Sequence, residues 1–230
     1  ELMGDFEEDQ ASRQEWEDTY VKGLDLLGFQ YEDRDRPFPG ASGVTHPMLA
    51  EAVTQFQAQA FKELLPSKGP VKAQVMGAAT PDVELQASRV QDFMNYQITT
   101  EMEEYTPEMD QLLFYLPLAG SAFKKVYYDT MKQRPCSNFV PVDDLVVPYS
   151  VSDLNTCERI THIVKMSHNE VRAQQISGAY LDVEIKPSYV GASDTQDKED
   201  ELEGIDGTSD MMYELLEFHV LMDLPGFEDP

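Results

Sequence analysis

Apolar residues recur along the first half of the chain at helical spacing and along the second half at a spacing of two. Phe6, Trp16, Tyr20, Leu24, Leu26 and Leu27 predict a helix that ends at Gly28, with the glycine in the left-handed cap conformation it adopts cheaply. Residues 30–43, rich in proline and glycine, read as a loop. Thr45 or His46 then caps a helix whose first turn holds Pro47 and whose stripe is Leu49, Val53, Phe56, Ala60 and Leu64, up to Pro66. Its glutamine-rich face (Gln55, Gln57, Gln59) reads as solvated. Val71, Ala73 and Val75 alternate with Lys72 and Gln74, as in a strand.

Thr80-Pro81-Asp82 opens a helix striped by Val83, Ala87, Val90, Met94, Ile98 and Met102 that runs to Tyr105. Pro107 to Asp110 starts another, through Leu112, Leu113 and Leu116, halting at Pro117 and Gly120. From Ser121 the period becomes two. Residues 122–128 and 136–142 form a hairpin around a polar turn at Asp129 to Arg134. Leu145 to Val147 and Arg159 to Met166 are further strands, and Ser167 with Glu170 forms a capping box for a short helix ending at Gly178. Residues 194–210 are acidic and loop-like, and Leu216, Phe218, Val220 and Met222 mark a last strand. The expected fold class is therefore α+β: a helical N-terminal half, residues 1–120, packed on a mostly antiparallel sheet in residues 121–230.

Charge narrows the function. Of 230 residues, 43 are Asp or Glu and 17 are Lys or Arg, a formal net charge of −26. Such a surface repels phosphate, so gripping nucleic acid or an anionic membrane by itself is disfavoured. The longest apolar run, near Leu112 to Ala119, is far shorter than the ~20 residues that span a bilayer. Two cysteines, Cys136 and Cys157, are too few for a disulfide framework and read as buried free thiols of a soluble protein in a reducing compartment. The chain starts at Glu1 and stops at Pro230 straight after a strand-like run, which reads as a fragment of something longer.

No reaction centre is legible. The chain has no phosphate-cradling glycine loop with its lysine, and no histidine pair at metal-ligand spacing among His46, His162, His168 and His219. Ser167 and Glu170 are explained by capping. Asp143 with Asp144, or Glu101 with Glu103 and Glu104, sit in solvated patterns without the burial that a general acid requires. The acids of residues 194–200 break calcium-loop spacing. Catalytic residues, cofactor and metal are each expected to be none.

Three ordered segments carry a resemblance: Gly40–Pro47 (GASGVTHP) running into Ala52–Ala58 (AVTQFQA); Asn95–Gln97 and Glu101–Tyr105 (EMEEY) through Leu116–Tyr127 (LPLAGSAFKKVY); and Phe139–Tyr149 (FVPVDDLVVPY). Over about residues 30 to 227 the chain resembles the portal, or head-to-tail connector, protein of tailed bacteriophages. The resemblance implies an N-terminal wing region with stem, clip and crown absent, part of a ring of commonly twelve subunits at one capsid vertex. That ring passes double-stranded DNA without binding it specifically, meets terminase, capsid and tail or adaptor proteins, and sits in the virion after assembly in the host cytoplasm. The few cations of the strand half, Lys124, Lys125, Arg134 and Arg159, are candidates for the contact between subunits, or for pairing with Asp129, Asp143 or Asp144 in the same chain. Two other classes fit the composition: an acidic hydrolase using paired carboxylates, and an acidic module that mimics DNA.

Overall fold

A computed structural model describes residues 2–28, 38, 46–130, 132–185, 198, 212–222 and 226. The fold is α+β, with helices concentrated in the first half and antiparallel strands in the second. In chain order the elements are α1 (Leu2–Ser12), α2 (Gln14–Leu27), α3 (Met48–Leu64), α4 (Pro81–Tyr96), α5 (Tyr105–Ala119), β1 (Phe123–Asp129), β2 (Arg134–Val140), β3 (Leu145–Val146), β4 (Arg159–Met166), α6 (His168–Ser177) and β5 (Tyr213–Val220). The chain divides into two compact units, one from residues 1–45 with 142–230 and the other from residues 46–141. Both units mix helices with strands.

The first unit joins the two ends of the chain. Its sheet is antiparallel in the order β3-β4-β5, with Ile163 opposite Leu216 and Thr161 opposite Phe218. Those positions share one face, because alternate residues of a strand point the same way. Phe6 of α1 packs on that face against Val146, Ile163, Leu216 and Phe218, its ring edge-on to Phe218 at 6.4 Å. α6 begins with the expected capping box: the Glu170 N–H donates to Ser167 Oγ, and the Ser167 N–H donates to the Glu170 carboxylate.

One helix was expected up to Gly28, but two form, broken at Arg13 (φ −95°, ψ 4°). The Arg13 guanidinium donates to the carbonyls of Val142, Asp143 and Leu145 and to the Glu17 carboxylate, which anchors the chain leading into β3. Gly28 is extended (φ −68°, ψ 119°) rather than left-handed, although its N–H still closes the helix on Leu24 O. The left-handed caps fall instead on Gly120 and Gly178, both at φ 79°.

The second unit pairs α3 with α5 and lays the β1–β2 hairpin on α5, where Tyr115 stacks on Phe139 at 5.9 Å. The Phe139 N–H donates to Glu108 Oε2 at 2.6 Å. The helix expected from Pro81 to Tyr105 ends at Tyr96 in a π turn over Gln97–Glu101, closed by Met102 N–H to Gln97 O, and buried Met102 separates it from α5. Pro117 does not halt α5. It lies in the last turn, and Gly120 ends the helix. Pro47 precedes α3 as its N-cap residue instead of lying in its first turn.

Residues 71–75 form no sheet strand. Their backbone is bonded by side chains of α4: Asn95 accepts from Val71 N–H and donates to Val71 O, and Gln91 accepts from Ala73 N–H. Gly69 (φ +94°) permits this approach, since a Cβ there would lie 2.4 Å from the Asn95 side chain.

Replacing Arg13 by alanine removes several charge-assisted hydrogen bonds, so urea unfolding should show a loss of about 2–4 kcal/mol. A loss below about 0.5 kcal/mol would mean that water replaces the guanidinium at those carbonyls.

Candidate functional site

All four of the singled-out cations are engaged inside the chain. Arg159 binds buried Asp9 of α1 bidentately, with Nε–Oδ2 at 2.6 Å and Nη2–Oδ1 at 2.7 Å, and this hydrogen-bonded carboxylate holds the guanidinium more firmly protonated than usual. Arg134 binds Glu104 at 2.7 Å, and this hydrogen bond pulls the Glu104 carboxyl down to about 2 against the opposing effect of its partial burial. The Lys124 ammonium lies 3.8 Å from the centre of the Tyr105 ring, shielded from solvent. Desolvation lowers its pKa, and the charges of Glu108 and Glu104 oppose that. Lys125 is half-buried and also has a partner. Asp9 and Glu104 were not foreseen as the acids.

Of the carboxylate pairs, Asp143 and Asp144 are half-buried rather than solvated, and Glu104 of the other set is engaged by Arg134. Asp144 pairs with Lys165 at 3.6 Å, and the Asp143 backbone carbonyl is held by Arg13. In the first unit a groove of about 360 Å³ between α6 and residues 182–185 is lined by His168, Arg172, Asp182, Glu184 and Tyr213 among others. Its two acids are exposed, and Asp182 is occupied by Arg172, so the groove lacks two carboxylates of unequal burial under apolar cover. Ser167 and Glu170 are consumed by their capping box. Both cysteines are free thiols. Cys136 is buried, and burial pushes its thiol up, away from a reactive thiolate. Cys157 is only half-buried, and its Sγ donates to Arg159 O at 2.8 Å.

Among the described residues no three His, Cys, Asp or Glu side chains are grouped to hold a metal ion. No helix among them is long and apolar enough to cross a membrane. The acidic stretch 194–210, Lys198 apart, and residues 40–45 of the first resembling segment lie outside the described residues.

The unusual surface is α4. Its half-buried residues are Ala87, Gln91 and Asn95, one row at a spacing of four, and none of its sixteen residues is buried. The stripe expected to face a core is split: Ala87 lies in that half-buried row, Ile98 is half-buried and Met102 buried, but Val83 is 39% exposed, Val90 46% and Met94 42%. Leu85, Phe93 and Tyr96, on the far side of the helix, are 54%, 57% and 51% exposed. The helix is thus apolar on two sides, more than its own chain covers. Leu85, Phe93 and Tyr96 are the sequence signal for this, since they lie off the single stripe. The hairpin adds Val126, Tyr127 and Tyr128, all exposed.

No protein-family model matches the chain, and no curated protein matches it.

The Glu104–Arg134 pair sets a pH dependence. The folded-state pKa of Glu104 lies below its ordinary 4.5, so the pair's stabilisation is present above that value and fades as pH falls towards about 2. Glu104→Gln should lower stability at neutral pH, and its deficit relative to wild type should close through that window in urea titrations at stepped pH. A deficit independent of pH would assign the effect to packing instead.

Proposed function

We propose that this chain is a structural, non-enzymatic subunit of the portal ring of a tailed bacteriophage, contributing wing-region surface to a conduit for double-stranded DNA. The observation that carries the reading is the inverted helix α4, which turns Gln91 and Asn95 towards its own chain and Val90, Phe93, Met94 and Tyr96 towards solvent. Exposed apolar surface of this extent is characteristic of a protein–protein interface. The resemblance of the three segments supplies the family. The charge agrees with the role, because a ring of subunits at −26 each does not add friction by neutralising the phosphates of passing DNA. With Arg134, Arg159 and Lys124 engaged within the chain, the subunit contact falls to apolar surface rather than to those cations.

On this reading the partners are further copies of the chain, then terminase, capsid and tail or adaptor proteins, and the location is the virion. Negative-stain images of the full-length protein should show rings with an axial hole. Monomers at micromolar concentration would overturn the reading, as would turnover of a small-molecule substrate. Tight, salt-sensitive binding to a basic protein with no ring would favour the DNA mimic.

The double substitution Val90→Asp with Phe93→Asp places two charges on the exposed faces of α4. It should leave the helical circular dichroism unchanged and shift sedimentation from ring to monomer. Rings that survive it would remove α4 from the contact.

A further inference from the structure

Residues 71–75 have the chemistry of a strand whose second edge has no occupant among the described residues. The α4 amides bond Val71 and Ala73, two positions apart, and the side chains of Val71, Ala73 and Val75 are half-buried while those of Lys72 and Gln74 are exposed. In an extended chain, successive residues direct their N–H and C=O groups to opposite edges. Asn95 and Gln91 therefore satisfy one edge, and the groups of Lys72 and Gln74 point the other way. An edge held open in this manner is a template for an added strand.

Charge selects the occupant. Residues 66–80 contain Lys68 and Lys72 and no acid, in a chain with 43 acids. Three longer strands have one edge without a neighbouring strand among the described residues, β1 and β2 of the hairpin and β5 beside β4, and β2 carries Arg134 and no acid. β1 carries Lys124 and Lys125, which repel Lys72. β5 carries Glu214 and Glu217 and no lysine or arginine. Opposite charges across a strand pair stabilise it and like charges oppose it.

We propose that the open edge of residues 71–75 receives the β5 edge of a second copy of this chain as an added strand. The two surfaces differ, so the contact is head-to-tail and repeats around a closed ring. The inference rests on the portal reading and names the surfaces that join neighbouring subunits in it.

Hydrogen exchange on the full-length protein, dissociated and assembled, tests this. The amides of Lys72 and Gln74 should slow by about tenfold or more on assembly, while those of Val71 and Ala73 are protected in both states. Lys72→Pro removes an outward N–H and is tolerated on a strand edge, and it should raise the concentration for half-assembly by about tenfold or more. Lys72→Glu should do the same without a backbone change, and its own hydrogen exchange reports whether it folds. Rings that form with unchanged exchange at Lys72 and Gln74, or at the wild-type concentration in both variants, overturn the strand addition and leave the portal reading standing. Absence of any ring from the wild-type protein overturns both.

Discussion

The first unit depends on Asp9 and Arg159 meeting across a separation of 150 residues. A buried carboxylate is costly unless a cation and hydrogen bonds replace its water, and the two parallel bonds from Arg159 do so. Phe6, three residues earlier on α1, then closes the apolar face of β4 and β5. Arg13, four residues later, fixes the carbonyls ahead of β3. Two side chains of α1 and the arginine that follows it thus tie the beginning of the chain to a sheet formed by its end. The entropy of closing so long a loop grows only logarithmically with its length, so a few well-formed contacts can offset it.

The second unit, a continuous stretch of chain, is organised by a different economy of polar groups. Its α4 spends a row of small and amide side chains on its own chain, and those amides take the place of a neighbouring strand for residues 71–75. The consequence is a surplus of apolar surface outside. On a chain with a net charge of −26, exposed apolar and locally basic surface is where two copies approach with least repulsion. On the proposed reading, the same polypeptide associates with itself through that surface while its acidic remainder does not hold nucleic acid.

Much of the local structure was legible. The limits of β4, Arg159 to Met166, agree with the structure because a run rich in β-branched residues, Ile160, Thr161, Ile163 and Val164, ends at a capping box. The capping box at Ser167 was readable because both of its bonds lie within four residues. The break at Arg13 was hidden, since the helical pattern continues through it and the carbonyls that draw the guanidinium are some 130 residues away. The strand pattern of residues 71–75 shows in their alternating burial, but among the described residues they join no sheet, since periodicity describes a chain's own alternation and not its neighbour. Val83, Val90 and Met94 of the stripe on α4 were read as core for the same reason. Of the candidate cations, their scarcity in the strand half was visible, yet Asp9 and Glu104 as partners were not, because ion pairs are chosen by proximity in space.

Composition and period alone determined the α+β class, the antiparallel hairpin and the acidic character of this protein, all of which follow from interactions within a few residues or from sums over the chain. Tertiary structure decided which face of α4 is left outside, where the guanidinium groups go and which backbone edge is satisfied by side chains. Those outcomes depend on which distant groups compete for the same space and the same hydrogen bonds, and no local pattern encodes that competition.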